Sequence, residues 1–592
     1  MKPLLRLKPY LWKYRRTLAW GFGTVIASNL FTVVQPYILG KAIDDLKHTI
    51  STGTAGITDF LGWAGLIVGF SLVAGIFTFL TRQTIIVVSR HIEFDLRNDL
   101  LAHLQKLPFA YFQNTSTGDL MAHATNDISA VRTVVGPGIM YPSDTFMTFS
   151  MVLVMMMLKD WQLTLLALVP LPLVSIVVYR MGKLINKKFT ERQEQFSLLT
   201  TQAQESLSGI RVIKAYVREA FETERFRGLS FEYLRKNLVL ARVQAVLWPL
   251  MFLLVGSSIL IIIYMGGTRV IDSQATGSGA FTIGDLTAFL AYLVMLIWPM
   301  IAFGWVINLL QQGAASMKRL AAIFDIVPAI RDTDQTRHEI TELKGDIEFR
   351  GVSFTHENTS EPTLKDISLT VRRGMTLAVV GYTGSGKSTL VNLIPRLYDV
   401  TGGQLLIDGV DVREIPLAVL RSHISVVPQE TFLFSDTISE NIRYGVENGS
   451  EEQMRESAEI AKIDKDVVDF PRGFDTMLGE RGITLSGGQK QRTSIARALM
   501  RSPRILILDD ALSSVDTVTE EEILSRLRTF MRERTSILIS HRISTVKEAD
   551  LIVVLHNGLI VERGNHQELV ERGGIYAELH EKQLLEQQLE NL

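Results

Sequence analysis

Hydrophobic positions gather into a few long runs rather than spreading evenly along the chain. Apolar stretches at 17–40, 58–88, 137–158, 161–183, 244–268 and 283–310 are each long enough to cross roughly 30 Å of hydrocarbon as a helix. They predict six membrane spans. The third and fourth are joined only by Lys159-Asp160-Trp161, a tight turn with an aromatic anchor at a membrane surface. Beyond residue 345 the pattern changes. Short apolar runs at 376–380, 424–427, 505–509 and 536–539 alternate with helical stretches, which predicts a parallel sheet with helices packed on it. Val553-Val-Leu-His-Asn557-Gly558-Leu-Ile-Val reads as a hairpin with an Asn-Gly turn. The stretch 327–343, mostly polar and carrying Pro328, reads as a linker. The Gln/Glu-rich tail from Glu581 is expected to fray.

Charge gives the spans an orientation. Lys and Arg crowd residues 1–16, 90–136 and 184–242, whereas 272–280 has none and the 159–160 turn has one. Positive charge marks the cytoplasmic side, so both termini are expected in the cytoplasm. The first 16 residues lack the small-residue cleavage site of a signal peptide and look amphipathic and interfacial. The segments 90–136 and 184–242 read as helical hairpins that project roughly 30 to 40 Å from the bilayer. In the first, Phe112 to Leu120 breaks the helical pattern and is expected to form a short transverse helix capped by Thr117.

The chemistry lies in the second half. Gly381-Tyr-Thr383-Gly384-Ser385-Gly386-Lys387-Ser388-Thr389 follows an apolar strand and opens a helix. This is the context in which a glycine-rich loop folds its N–H groups around phosphates, with the Lys387 charge on the β/γ-phosphates and the Ser388 hydroxyl on magnesium. Ile505 to Asp509 reads as a buried strand that delivers the Asp509 carboxylate to the same metal ion. Leu485-Ser486-Gly487-Gly488-Gln489 precedes a helical run from Lys490 to Met500, so Ser486 and the glycines sit at a helix N-terminus, an end that binds anions.

Following the phosphate loop by about 100 residues and preceding the Asp509 strand by about 16, that pentapeptide completes a pattern that resembles the ATP-binding cassette (ABC) family. Within the family it resembles exporters that fuse a membrane domain and a cassette on one chain, in particular the degenerate-site subunit of bacterial heterodimeric multidrug exporters. The resemblance covers nearly the whole chain. It implies an α-helical six-span transmembrane domain fused to an α/β P-loop ATP-binding cassette domain. The expected parts are residues 1–326 as the transmembrane domain with two coupling hairpins, 327–344 as linker, 345–580 as nucleotide-binding domain and 581–592 as polar tail. Gln429 looks like the magnesium-sensing glutamine, Asp516 like the loop aspartate that communicates across the dimer, and His541 like the switch histidine on the γ-phosphate. Gly209-Ile-Arg-Val-Ile-Lys214-Ala-Tyr-Val-Arg218 resembles the second coupling helix of such exporters.

Two positions depart from the family pattern. His356 stands where a tyrosine usually stacks on adenine, and Asp510 stands where a glutamate usually activates water. An aspartate is one methylene shorter and displaces the carboxylate by roughly 1 Å, a misplacement that can cost about 10²-fold in rate. The site of this chain is therefore expected to bind ATP and Mg2+ and hydrolyse slowly, while the intact signature at Ser486 to Gln489 completes a competent site whose phosphate loop and glutamate come from a sibling half-transporter. The function implied is ATP-driven efflux of an amphipathic or hydrophobic substrate, drug or lipid-like, by alternating access across the inner (plasma) membrane. A homodimeric exporter, an importer of the same fold and an ATP-gated regulator that transports nothing remain alternatives.

Composition narrows the classes. With 592 residues and 47% hydrophobic content, the chain is too long for one compact domain and too apolar to be wholly soluble. A net charge of -1 and the lack of a basic stripe interleaved with aromatics give no argument for nucleic acid. The absence of cysteine excludes disulfides, thiolate metal sites and a cysteine-protease mechanism. Met140, Met147, Met151, Met155, Met156 and Met157 enrich the third span, either as adaptable cavity lining or, the preferred reading, as helix-packing or lipid-facing side chains. Trp248, Trp298 and Trp305 lie in the fifth and sixth spans and are candidates to line a path. No intramembrane acidic cluster suggests ion coupling.

Overall fold

The computed structural model describes residues 2–52, 57–276, 279–357, 359–479, 482 and 485–590. The chain divides into two compact units, one comprising Met1–Gln105 with Ser116–Ile326 and the other Lys106–Thr115 with Val327–Leu592.

The first unit is helical. Among the described residues five segments are long and apolar enough to cross a membrane: Arg15–Ile50, Phe60–Leu104, Thr117–Lys159, Trp161–Ser208 and Glu219–Ala275. The sixth expected run lies in the helix Ile283–Phe324, but its apolar stretch Ile283–Pro299 is shorter than the others, and Asn308, Gln311 and Gln312 make the remainder of that helix more polar. Several of these helices exceed the 20 or so residues a bilayer needs, and their outer turns are the expected polar hairpins. Leu171–Ser208 and Glu219–Ile261 run side by side through bonds such as Gln202 Nε2 to Glu222 Oε2 at 2.7 Å and Lys236 Nζ to Gln195 Oε1 at 3.2 Å.

Local chemistry sets the helix ends. Ser116, not Thr117, caps the short helix Thr117–Ala122: its extended backbone lets the hydroxyl accept from the Asp119 N–H at 3.1 Å, while Thr117 is already the first helical residue. The other hairpin carries the helix Ile210–Ala215, which follows Gly209. At the 159–161 turn, Asp160 caps the next helix by accepting from the Leu163 N–H at 2.9 Å, and Lys159 pairs with Asp285 at 2.8 Å. The core joins Val152, Met156, Leu163, Phe289, Leu293 and Leu296. Met156 is fully buried there, and Met140 packs with Val25 and Ile85, so these two methionines pack helices. At the N-terminus Leu7 is buried against Leu96 and Leu320 while Leu5 and Trp12 stay exposed, the two-faced character expected of an interfacial segment.

The second unit is built on two sheets. A six-stranded sheet runs, edge to edge, Leu559–Gly564, Leu551–His556, Thr376–Val380, Thr535–Ile539, Ile505–Asp509 and Ile424–Val427. Its strands are parallel except for Leu559–Gly564, which pairs antiparallel with Leu551–His556. Ile505–Asp509 is buried at every position, as a strand covered on both faces requires. The antiparallel second sheet has the order Leu364–Val371, Ile347–Phe354, Gly402–Ile407 and Val410–Asp411. Linker residues lie along this unit: the Arg337 N–H donates to the Glu414 carbonyl at 2.7 Å and the Leu417 N–H to Asp332 at 2.9 Å. As far as Glu590 the tail expected to fray instead continues the helix Ile575–Glu590, and residues 591 and 592 lie outside the described residues. Its start is anchored by the Glu562 carboxylate, which accepts from the Ile575 and Tyr576 N–H groups at 2.6 and 3.1 Å.

Residues 106–115 belong to this unit through the helix Phe109–Asn114. Ala110 packs on the apolar cluster that contains Phe354 and Tyr398, and the Tyr398 hydroxyl donates to Gln113 Oε1 at 2.7 Å.

Candidate functional site

The strand Thr376–Val380 delivers the chain into a loop that closes where the helix Lys387–Leu393 begins. Gly381, Gly384 and Gly386 have φ of 146, 81 and 101°, backbone settings that side chains disfavour. At Gly381 a Cβ would also overlap the Leu555 carbonyl oxygen, so this position is closed to other residues on two grounds. Thr383 and Gly384 are exposed at the rim, while Thr389 is half-buried in the first helical turn. Lys387 is 6% exposed, and its Nζ folds onto the loop, donating to the Gly381 and Tyr382 carbonyls at 2.9 and 2.8 Å. Burial lowers its pKa, against the raising effect of the Asp509 and Asp510 charges.

Asp509 ends its strand beside this loop. Burial pushes its carboxyl above the usual carboxylate range; a hydrogen bond from Ser388 works against that, Asp510 adds to it, and Lys387 and His541 oppose it. Ser388, Asp510, Lys387 and His541 thus lie close enough to act on the Asp509 carboxyl. The arrangement fits magnesium-bound ATP: Ser388 and Asp509 present adjacent oxygens of the kind a hard cation takes, Lys387 supplies positive charge, and the buried Ser385 Oγ has no partner, an orphan a phosphate oxygen would satisfy. Gln429 is exposed just past the strand Ile424–Val427, whose last residue pairs with Leu508. Asp510 leaves the strand in the left-handed region at φ 49°, held by its N–H to the Ile539 carbonyl at 2.9 Å.

Ser486 caps the helix Gly487–Met500. Its hydroxyl accepts from the Gln489 N–H at 3.3 Å and the Gln489 side chain accepts from the Ser486 N–H at 3.0 Å, a reciprocal cap. Gly487 and Gly488 lie against Ser514, whose backbone would crowd any side chain at Gly488. Among the described residues no hydrogen bond joins Ser486 to Gln489 with the phosphate loop. Asp516 caps the helix Thr517–Met531 by accepting from the Thr519 N–H at 2.9 Å, and that bond lowers its pKa. His356 meets Phe354 and Tyr398 edge-to-face, at centroid separations of 4.8 and 5.5 Å. Its loop ends at Thr363, whose carbonyl borders Gly386.

Two residues escaped the sequence reading. Gln491 ties the signature helix to the loop after Asp510, donating to Ser513 Oγ and accepting from the Ser514 N–H, each at 2.9 Å. Its place in the signature helix, two residues past Gln489, was the only cue. Gln583, in the tail, bonds the main chain at His541 and Ile543; no sequence signal marks it.

Residues 18–300 match the family model described as ABC transporter transmembrane region, and 364–513 match the ABC transporter model. The chain is 39% identical over 566 residues, 95% of this chain and 94% of the relative, to the probable multidrug resistance ABC transporter ATP-binding/permease protein YheI of Bacillus subtilis. It is 39% identical over 563 residues, 95% of this chain and 90% of the relative, to an ATP-dependent lipid A-core flippase of Syntrophus aciditrophicus. The structure of a bacterial Atm1-family ABC exporter with ATP bound is similar at a TM-score of 0.78 and 27% identity, covering 96% of this chain and 99% of that one.

Proposed function

This chain belongs to the ABC transporter family, in which ATP hydrolysis is coupled to transport, and we propose that it is one subunit of a heterodimeric exporter with one competent and one degenerate ATP site. The observation that carries the asymmetry is Asp510. It follows Asp509 directly, in a left-handed backbone, with a carboxylate one methylene short of the water-activating position; a displacement of about 1 Å lowers rate by about 10²-fold.

Lys387, Ser388 and Asp509 would hold the nucleotide and a magnesium ion, which would neutralise charge on the phosphates; Gln429 would sense the metal and His541 would contact the γ-phosphate. The remaining loop residues from Gly381 to Thr389 cradle the phosphates, and His356 faces the adenine. The N-terminus of the helix at Ser486, Gly487, Gly488 and Gln489 meets the ATP held by the sibling half-transporter, and Asp516 relays between the two sites. ATP is thus an interfacial ligand that favours a closed dimer, and hydrolysis removes that bias. The substrate is an amphipathic or hydrophobic molecule, drug or lipid-like, moved outward through six spans, the helix Ile283–Phe324 being the sixth. Both termini lie on the cytoplasmic side of the inner (plasma) membrane, in keeping with the basic hairpins. The names of the relatives, a multidrug resistance transporter and a lipid A-core flippase, support this substrate class.

Co-purification from the native membrane tests the reading. The purified chain alone should hydrolyse ATP weakly, and addition of a sibling carrying glutamate after its Walker B aspartate should restore turnover. Robust hydrolysis by a pure homodimer would defeat it.

A further inference from the structure

A carboxylic acid stands alone in the third membrane span. Asp144 lies in the helix Pro137–Lys159, about 22 Å of helix inward from Lys159. Because Lys159 pairs with Asp285 near the start of the last span, the two helices are in register at that membrane face, and Asp144 sits in the opposite, inner part of a hydrocarbon layer about 30 Å thick. Ionisable groups at such depth are expensive and face a partner or a water-filled cavity.

Its surroundings are polar but neutral. Asn29 Nδ2 donates to Asp144 Oδ1 at 2.8 Å and to the Val25 carbonyl at 3.0 Å, and Asn29 Oδ1 accepts from the Thr148 hydroxyl. Asn29 is 4% exposed, so its amide is fully used and fixed in orientation. Among the described residues no Lys, Arg or His pairs with Asp144 and no hydrogen bond reaches its second oxygen, which is not buried either. One turn closer to the cytoplasm, Tyr141 meets Trp305 of the last helix edge-to-face at 5.2 Å. Trp305 is 46% exposed and, with Asn308 and Gln312, lines a cavity of about 220 Å³.

An accessible carboxylate oxygen with two electron-rich rings that begin one helical turn away, in an otherwise apolar wall, makes a receptor for positive charge that carries an apolar body. We propose that Asp144, Tyr141 and Trp305 form a subsite for amphipathic organic cations at the inner-leaflet level of the span, with Asp144 as counter-ion. The proposal rests on the efflux reading above and narrows its substrate class, since the same carboxylate repels the phosphate head of an anionic lipid.

The test uses the full transporter with its co-purified partner in proteoliposomes. ATP-dependent transport of tetraphenylphosphonium, a permanent cation, is compared with that of tetraphenylmethane, its neutral analogue, in wild type, Asp144→Asn and Asp144→Glu. The ratio of cation KM to neutral KM should rise about tenfold or more in Asp144→Asn, a difference of affinities, and Asp144→Glu should hold it within about threefold of wild type. Equal changes for both compounds would reduce Asp144 to a helix-packing residue and overturn the subsite, as would preferential transport of an anionic phospholipid analogue that improves in Asp144→Asn. A wild-type protein that hydrolyses ATP yet moves none of these compounds would overturn the efflux reading itself, and the subsite with it.

Discussion

Gln583 clasps the main chain of His541. Its Nε2 donates to the His541 carbonyl while its Oε1 accepts from the Ile543 N–H at 2.7 Å, so one side chain from the C-terminal helix fixes both ends of the turn that carries the histidine. The helix is itself anchored by the fully buried Tyr576 and by Glu562.

This clasp predicts a kinetic effect. In a reconstituted complex whose sibling glutamate has been removed, so that only this chain's own slow site turns over, Gln583→Ala should lower ATP turnover about 3- to 10-fold and leave KM for ATP within about twofold, because a small misplacement of a group acting on the transition state reduces rate more than binding. His541→Ala should cost more. If His541→Ala is severe and Gln583→Ala is silent in steady-state ATPase assays, the clasp has no catalytic consequence.

The Asp510 reading predicts unequal losses. Asp510→Ala should lower turnover only a few-fold, since the step it serves is already slow, whereas removal of the sibling's glutamate should cost about 10²- to 10⁴-fold. Asp510→Glu should add hydrolysis only if the sibling's signature helix still reaches this γ-phosphate. ATPase rates of the three variants in one complex decide it: equal, severe losses mean that both sites hydrolyse.

At the adenine end, His356 packs edge-on to Phe354 and Tyr398 and offers a smaller π face than tyrosine. His356→Tyr should tighten ATP binding by about 0.5 to 1.5 kcal/mol, as measured by calorimetry. Unchanged affinity places the adenine elsewhere.

The raised Asp509 pKa gives a pH dependence whose sign depends on the metal. Burial, the largest influence, favours the protonated carboxyl, so without a divalent ion the native state binds this proton more tightly than the unfolded chain. Stability contributed by that proton is lost as pH rises from the ordinary aspartate range through the raised value. Magnesium needs the ionised form, so its effect on ATP affinity should fade as pH drops through that raised value, sooner than an unperturbed aspartate would allow. Titrating a fluorescent ATP analogue with and without magnesium from neutral pH downward checks this. Asp509→Asn should abolish the metal-dependent part and its slope.

Features encoded within a few consecutive residues were legible in the sequence. The phosphate loop, the Asp509 strand and the Ser486 cap each follow from one short run, and all three stand in the expected elements. Misreadings arose where distant residues decide. Glu562 holds the start of the helix that continues through the tail expected to fray, and nothing near Gln583 announces its grip on His541. Thr117 and Ser116 are equally good caps by composition, and only the backbone turn at Ser116 selects one. Asp144 is inconspicuous in the sequence because one acid between Ser143 and Thr145 does not interrupt a hydrophobic run; its meaning comes from Asn29, more than 100 positions earlier.

Residues 106–115 bear on how such chains can be recombined. Their helix supplies Ala110 to the apolar cluster around Phe354 and the Gln113 acceptor to Tyr398. A cassette excised at residue 327 would leave that hydroxyl without its acceptor and wet the cluster, and a donor cassette grafted onto this membrane half would meet a helix shaped for another surface. Exchange of this chain's ATPase module therefore involves two non-adjacent segments, so the module is discontinuous in the sequence although compact in space.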